Sequence, residues 1–256
     1  MVKDQAVLAY CNLFGVLGAI PALLRISPEA RALVEGHRIS VGFFVKGGPC
    51  ATLRFQNGEA ELQEGCTSCD IKLFFSSCEK FNGMIDGTAS PLPVKGFHRL
   101  GFLLKNFTKL TDLLSSYLRP TEGAMEDPDF MIASTKLMLH VIAGAVAQIA
   151  NHDRVGRFSA SNIVDGDIKF TVGAPQADGT AIVLRAKDHR LTVLPEVPES
   201  CFSEMAFSDY ATARALFDGK INAVAAVGTG KVRIFGMISQ IDNVNRILDR
   251  VSVYLA

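Results

Sequence analysis

The chain has 256 residues, with 26 lysines and arginines balanced by 26 aspartates and glutamates, so its formal net charge is zero. This balance excludes the bulk positive field that attracts nucleic acid or an anionic membrane, and we expect no nucleic-acid partner. The length accommodates two domains, and a hydrophobic content of 48% is more than two tightly packed cores would require.

An apolar segment at residues 6–24 opens the chain and is long enough for a signal peptide or a membrane span. Gly15, Gly18 and Pro21 interrupt it, and a related apolar segment recurs at residues 136–150. A signal peptide has no reason to be duplicated internally. We therefore interpret both segments as buried domain helices and expect no stable membrane insertion, with a signal or anchor as the alternative.

Strand-like segments follow the apolar helix, and the same order recurs in the second half. Asn57-Gly58 predicts a two-residue hairpin turn, and Asp178-Gly179 is placed in the first turn of the second half. Each half is therefore expected to form an antiparallel meander. The predicted strands are residues 39–45, 50–55, 59–63 and 70–75, then 167–172, 180–186, 190–194 and 203–207.

Each half then continues with a short helix and closes with an amphipathic one. Ser76, three residues before Glu79, predicts a capping box, and Gly87 ends that helix. Ser208 and Gly219 bracket its counterpart. In the last helix the apolar residues keep a helical spacing, which predicts one covered face.

The two halves are copies of one pattern. Phe43 matches Phe170, Phe75 matches Phe207, and Tyr117 matches Tyr254, with a spacing that grows slowly along the chain, as loop insertions would produce. A Pro-, Gly- and acid-rich linker at residues 119–129 separates them. The sequence predicts one domain at residues 1–122 and a second at residues 123–256.

This order of elements resembles the sterol carrier protein type-two (sterol-transfer) family. The resemblance is carried by residues 215–222 (ALFDGKIN) and 230–236 (GKVRIFG), followed by the last helix. It implies an α+β fold in which each copy is an antiparallel sheet covered by helices around a hydrophobic tunnel. The first copy departs at residues 87–96, where two prolines exclude a central strand, so its pocket is expected to be altered or lost.

The resemblance implies non-catalytic binding or transfer of a lipid, fatty acyl or sterol-like ligand, with no cofactor. An amphipathic stripe looks the same whether it lines a tunnel or seals an ordinary core, so the core interpretation remains open for every candidate. The candidate lining residues are Phe102, Leu103, Phe107, Leu110 and Leu114 in the first copy, and Leu216, Phe217, Ile238, Val244, Ile247 and Val251 in the second.

Signatures of catalysis and metal binding are weak. Cys66 and Cys69 have the spacing of half a zinc site or of a redox pair, with Cys78 nearby, but a full ligand set is missing. Gly228-Thr-Gly-Lys231 lacks the earlier glycine and the following Ser or Thr of a phosphate loop. We therefore expect no enzyme, no metal and no cofactor; an enzymatic interpretation depends on the three cysteines alone.

Six cysteines, five of them in the first half, do not form the pattern of a secreted disulfide framework, and a cytoplasmic location is expected. Binding of a hydrophobic ligand is the favoured function. The alternative is a protein-interaction or structural module whose duplicated apolar faces pack on each other or on a partner subunit, including a homo-oligomer. An open cavity within a copy favours the first, and packed interiors with an exposed apolar patch favour the second.

Overall fold

The computed structural model describes residues 3–65, 68–121, 123–173 and 180–255. The chain divides into two compact units, Met1–Thr121 and Glu122–Ala256. Each has an α+β fold in which helices cover one five-stranded sheet.

The first unit begins with a helical segment that changes its winding along its length. Asp4 caps its start by accepting a hydrogen bond from the Ala6 backbone N–H at 2.9 Å. Pro21 lies in the first turn of the part that follows, where its missing N–H costs no helical hydrogen bond. The elements are α1 Gln5–Tyr10, a π-helical turn Cys11–Val16, a 3₁₀ turn Leu17–Ala19, α2 Ile20–Ile26 and α3 Pro28–Val34.

The sheet of the first unit has the strand order β3-β2-β1-β4-β5. The predicted Asn57-Gly58 turn is present, with positive φ angles of 55° and 78°, as the tight hairpin requires. The strands are β1 Ile39–Val45, β2 Cys50–Gln56, β3 Glu59–Glu64, β4 Ile71–Phe75 and β5 Leu92–Lys95.

The prediction of a purely antiparallel meander is wrong at the fourth strand. β1, β2 and β3 form the meander, but β4 returns to pair parallel with β1, with Phe43 opposite Leu73, and the sheet is therefore mixed. Ser68, which precedes β4, is held against β2, because the Arg54 guanidinium donates to its backbone carbonyl at 3.3 Å. Hydrophobic alternation locates a strand but does not specify its neighbour.

The proline-containing segment of the first unit forms an edge strand. β5 pairs antiparallel with β4, and Pro93 lies opposite Leu73 beside an irregularity in register. A proline is tolerated there because an edge strand has one side without a ladder partner. The two prolines thus exclude a central strand, as expected, but they are compatible with an edge strand.

Two helices complete the first unit. α4 Cys78–Ile85 is capped by Ser77, whose hydroxyl accepts from the Lys80 N–H at 3.4 Å, so the cap is one residue later than the predicted Ser76. Gly87, at φ 72°, ends α4 as predicted. The closing helix at residues 100–118 comprises α5 Leu100–Phe102, a π-helical turn Leu103–Phe107 and α6 Thr108–Leu118, after a 3₁₀ turn Phe97–Arg99.

The second unit repeats this plan. Asp209, rather than Ser208, caps its α9 by accepting from the Thr212 N–H at 2.7 Å. The predicted Asp178-Gly179 turn lies outside the described residues. After a 3₁₀ turn Ala124–Glu126, the elements are α7 Pro128–His152, α8 Arg154–Ala160, β6 Gly166–Val172, β7 Thr180–Lys187, β8 Arg190–Val193, β9 Ser203–Phe207, α9 Tyr210–Phe217, α10 Ala223–Gly228, β10 Val232–Gly236 and α11 Ile238–Leu255.

The second sheet has the matching order β10-β9-β6-β7-β8, again with one parallel pair, β6 with β9. The registers also correspond. Val41 pairs with Leu53 and Ile71 in the first sheet, and the matching positions of the second sheet pair Ile168 with Leu184 and Ser203. The duplication seen in the sequence is therefore a duplication of the fold, and α10 accounts for much of the longer spacing in the second copy.

Two helical segments, Gln5–Ile26 and Pro128–His152, are long and apolar enough to cross a membrane by length and composition. In the most apolar part of each, 72% and 56% of the residues are buried inside the protein. The core helix of a soluble protein has the same properties, and this burial favours the interpretation of both as domain helices.

Candidate ligand-binding site in the second unit

The interior of the first unit is filled by phenylalanine rings. Phe107, on the closing helix, contacts Phe43 and Phe55 of the sheet at centroid distances of 6.1 and 6.4 Å. Phe102 packs on Phe55 at 5.6 Å and meets His37 edge-on at 5.0 Å. Such tilted and edge-to-face contacts are the favoured arrangements of buried aromatic rings. The space between sheet and closing helix is therefore occupied by the protein itself at these positions.

All the lining residues predicted in the first unit lie on the buried face of the closing helix, as their spacing indicated. They are Phe102, Leu103, Phe107, Leu110 and Leu114. For Phe102 and Phe107, the ring contacts with the sheet are those of core residues. That these five side chains line a ligand tunnel remains a prediction.

The second unit lacks this bulk at one end of its sheet. In the first unit, Ile39 pairs with Phe55 at the start of β1 and the end of β2. The corresponding pair in β6 and β7 is Gly166 with Ala186. On both strands these positions share a sheet face with buried apolar residues, because side chains two apart point to the same side. At these two positions the inner face of the second sheet therefore has no counterpart of the Ile39 and Phe55 side chains.

A cleft lies at this end of the second sheet. Its volume is about 450 Å³, it is open to solvent, and it is lined by residues 165–167 and 185–187, which include Gly166 and Ala186. Phe202 packs beside Gly166, because a Cβ on that glycine would lie 3.0 Å from the Phe202 Cβ, and it is 50% exposed. The cleft therefore lies at the solvent-exposed end of the strand pair β6–β7.

Charged residues lie around the mouth of the cleft. Arg185 binds Asp167 through two hydrogen bonds of 2.7 Å, and this guanidinium holds the pKa of Asp167 below its usual range. Asp165 accepts a hydrogen bond from the Asp188 N–H at 3.1 Å, which fixes the adjacent β7–β8 turn. The cleft is thus lined by two small residues, Gly166 and Ala186, and by four charged residues.

Some of the lining residues predicted in the second unit are buried, and others are partly exposed. Val244, Ile247 and Val251 are buried on the inner face of α11. Leu216 and Phe217, on α9, are partly exposed, and the Phe217 ring packs on Phe207 at 5.7 Å.

Ile238 does not lie with the others. It is 74% exposed in the first turn of α11, while Gln240, two residues later, is fully buried. At the start of α11 the inward-facing residue is therefore Gln240 and not Ile238, and an apolar stripe read from the sequence does not reveal this.

Gly166, Ala186 and Gln240 were not identified from the sequence as site residues. The side chain of Gln240 donates through Nε2 to the Val164 carbonyl at 2.8 Å, and a Cβ on Gly166 would lie 3.4 Å from that nitrogen. The match between Ile39 and Gly166, which follows from extending the repeat by two residues, is the signal that could have revealed the missing bulk.

The cysteine hypothesis gains no geometric support from the described residues. Cys66 lies outside them, while Cys69 and Cys78 are both buried. Burial, reinforced by Glu79 and Asp4, raises the pKa of the Cys78 thiol, which keeps it protonated and poorly nucleophilic. Within the described ranges, no three His, Cys, Asp or Glu side chains form a set that could hold a metal ion.

No protein-family model and no curated protein matches this chain. A sterol carrier protein domain 2 of Helicoverpa armigera matches 46% of this chain and 89% of its own, with 18% identity and a TM-score of 0.36. Sterol carrier protein 2 from Yarrowia lipolytica matches 43% and 88%, with 18% identity and a TM-score of 0.33. A conserved hypothetical protein from Thermus thermophilus, described as possibly a sterol carrier protein, matches 44% and 85%, with 18% identity and a TM-score of 0.34.

These structures represent the family that the sequence of the second copy resembles, and each match spans less than half of this chain, about the length of one unit. At 18% identity and TM-scores of 0.33 to 0.36, the likeness is a weak one. It assigns no role to any residue of this chain.

Proposed function

We propose that this chain binds a hydrophobic ligand without catalysing a reaction, and that the second unit holds it between its sheet and α11. The observation that carries the proposal is the substitution of Gly166 and Ala186, in the same register, for Ile39 and Phe55 of the first unit. The first copy has two large apolar side chains there, and the two corresponding residues of the second copy are among those that line a cleft of about 450 Å³. Ligand pockets commonly have volumes of about 300–1,000 Å³.

The remaining inner surface of the second unit suits an apolar ligand. The inner side chains of α11 include Val244, Ile247 and Val251, which offer no hydrogen-bonding group. Burial contributes about 0.8 kcal/mol per methylene, so about ten methylenes supply about 8 kcal/mol before ordering costs. Micromolar affinity for an acyl chain therefore requires no charged anchor.

The sequence resemblance supports the same unit. The segments that carry it form the end of α9 with the turn after it, and β10 with the residues just before it, and β10 leads directly into α11. In the first unit, the chain passes from α4 to the edge strand β5 without a counterpart of α10 among the described residues. We propose that the second unit transfers the ligand and does not only store it.

A second candidate function is association through the first unit. Its edge strand β5 exposes Leu92 and Val94, and the following turn and helix expose Phe97 and Leu104. An exposed apolar edge strand is a template for pairing with another chain. Sedimentation velocity of the wild type and of Val94→Lys tests this function: a dimer that the lysine abolishes supports it, and a monomer at all concentrations contradicts it.

Native mass spectrometry and lipid extraction of the purified protein test the ligand proposal first. We expect a bound lipid at one molecule per chain. Titration with diphenylhexatriene, an apolar dye that fluoresces when it leaves water, then locates the site. A clean apo mass together with no dye binding would contradict the proposal and favour the association function.

Ala186→Phe restores the side chain that the first unit has at this position, and we expect it to weaken dye binding at least about tenfold by filling the cleft. Ala186→Leu is a smaller filling variant in case the phenylalanine disturbs folding. Ser252→Phe, on an exposed position of α11, is the control and is expected to bind dye as the wild type does. Thermal melts confirm that the variants are folded.

A further inference from the structure

The exposed side of the first unit's closing helix begins with two large apolar side chains. Phe97, in the 3₁₀ turn that leads into the helix, is 64% exposed, and Leu104 is 70% exposed. They are about two helical turns apart, with Gly101 between them. Beyond its chain neighbours and its own helix backbone, no described atom lies within 4 Å of the place where a Gly101 Cβ would be. This part of the first unit is therefore apolar and uncovered.

Two lysines continue the exposed side of the same helix. Lys105 and Lys109 are both exposed and lie one helical turn apart. Among the described residues, no carboxylate lies within 4 Å of either ammonium group. Like charges at this spacing repel each other, so the pair favours a partner of opposite charge. We name Phe97, Leu104, Lys105 and Lys109 the apolar-basic stripe.

The stripe lies in a segment whose charge is not balanced, although that of the whole chain is. Residues 87–111 contain four lysines and arginines and no aspartate or glutamate. Two of these cations are engaged, since Arg99 pairs with Asp70 at 3.7 Å and Lys95 donates to a backbone carbonyl at 2.7 Å. The other two are the lysines of the stripe. Residues 28–38, which include the adjacent α3, carry two acids and two bases and do not offset them.

The second copy has a balanced helix surface at the same place. In the register that matches the tyrosines near the ends of the two closing helices, Lys105 corresponds to Asp242 and Lys109 to Arg246. Asp242 and Arg246 form an exposed ion pair of 3.0 Å. In the first copy the acid of this pair is replaced by a lysine, and the first acid on the helix is Asp112, three residues after Lys109. The positive charge of the stripe is therefore a property of the first unit and not of the repeated fold.

We propose that the apolar-basic stripe attaches the first unit reversibly to the surface of a membrane that contains anionic lipids. Phe97 and Leu104 enter the headgroup region, while Lys105 and Lys109 contact lipid phosphates. Large apolar side chains beside lysines on one exposed helix are typical of attachment at a membrane surface. A second copy of the chain fits the stripe less well, because twofold pairing would place one positive patch against another. This inference is independent of the ligand site in the second unit.

Cosedimentation of the full chain with vesicles tests the role of the lysines. One vesicle is phosphatidylcholine alone, and the other has equal parts of phosphatidylcholine and phosphatidylserine. We expect binding to the mixed vesicles only, and weaker binding as salt is added. Lys105→Gln with Lys109→Gln should weaken it about 20-fold, because a lysine near an anionic surface contributes about fivefold. The control, Lys220→Gln with Arg246→Gln, removes two exposed cations from the second unit and should bind as the wild type does.

An introduced indole tests the role of the apolar residues. The chain has no tryptophan, so the fluorescence of Phe97→Trp reports on position 97 alone. We expect its emission to shift to the blue with mixed vesicles, and that of Val224→Trp, at an 80% exposed position of α10, to stay unchanged. Leu104→Ser should weaken vesicle binding about tenfold. These positions are exposed, and thermal melts and dye binding without vesicles are expected to match the wild type in every variant.

The outcomes distinguish this surface from other occupants. Absence of vesicle binding, or equal binding to neutral and mixed vesicles, overturns the proposal. Binding that survives the lysine substitutions and leaves the emission of Phe97→Trp unchanged assigns attachment to another surface and also overturns it. A blue shift that grows with protein concentration in the absence of vesicles, together with a dimer in sedimentation velocity, shows that a second copy covers the stripe. None of these results bears on the ligand proposal, which the dye titration tests separately.

Discussion

The hydroxyl of Tyr254 donates a hydrogen bond of 2.6 Å to Oδ1 of Asp153, 101 positions earlier in the chain. Arg250 donates to the same oxygen at 2.9 Å. The other carboxylate oxygen accepts from the Val155 and Gly156 N–H groups at 2.9 Å and caps α8. One buried carboxylate thus joins the end of α11, the helix that covers the candidate site, to the start of α8.

Asp153→Asn is expected to destabilise the second unit by about 3 kcal/mol at pH 7, because it removes the negative charge that pairs with the largely buried Arg250 guanidinium. Urea unfolding of the full chain measures this loss. Asp242→Asn is the matched control: its pair with Arg246 is exposed on the same helix, and we expect a change below about 0.5 kcal/mol. Equal effects of the two substitutions would contradict a special role of the buried carboxylate.

The same carboxylate makes stability depend on acid pH. Burial opposes the ionisation of Asp153, but the hydrogen bonds from Arg250 and Tyr254 outweigh it, and the net effect is a lowered pKa. A carboxyl with a lowered folded pKa contributes stability above its unfolded pKa of about 3.9 and loses it as pH falls through the folded value. We expect the free energy of unfolding to fall below about pH 4, and to fall less steeply in Asp153→Asn.

Tyr254 produces the opposite dependence at alkaline pH. Burial and the hydrogen bond to Asp153 raise its pKa above the ordinary value of about 10. A group with a raised folded pKa contributes its stability below the unfolded value and loses it as pH rises towards the folded one. Unfolding measured between pH 8 and pH 11 should show a decline that is smaller in Tyr254→Phe. An identical decline in both proteins would refute this linkage.

Phe107→Ala is expected to destabilise the first unit by about 3–5 kcal/mol, since the ring fills the space between Phe43 and Phe55. Leu104→Ala, at an exposed position three residues earlier, is the control and should change stability by less than about 0.5 kcal/mol. Chemical denaturation gives both values. A loss of bound lipid in Phe107→Ala without a loss of stability would instead support the predicted lining role of Phe107.

Gly96 and Gly236 hold equivalent strand ends in the two units, and neither tolerates a side chain. A Cβ on Gly236 would clash with the Phe202 carbonyl oxygen, and one on Gly96 would clash with the Asp70 carbonyl oxygen. Both glycines also have positive φ angles, 82° and 87°. We expect Gly236→Ala and Gly96→Ala to cost about 2 kcal/mol each. Gly228→Ala, with no atom within 4 Å of its Cβ, should melt as the wild type does.

Much of the fold could be predicted because its signals are local. The pattern of apolar residues predicted β1 and β9 at the bounds that the structure shows. Asn57-Gly58 predicted a turn that needs two positive φ angles, and both are present. The repeat required only the comparison of residues such as Phe43 and Phe170. The buried face of α11 followed from helical spacing, which is also a property of neighbouring residues.

Local signals were therefore enough to predict a duplicated α+β chain and the order of the first four strands of each copy. Three features became visible only in the folded chain: β4 pairs parallel with β1, Pro93 lies in an edge strand, and Gly166, Ala186 and Gln240 meet at one end of the second sheet. Pairing and packing depend on contacts between residues far apart in the chain, and hydrophobic periodicity does not specify them. The candidate site differs from the same place in the first copy by two side chains. This difference is visible only when the two sheets are compared position by position.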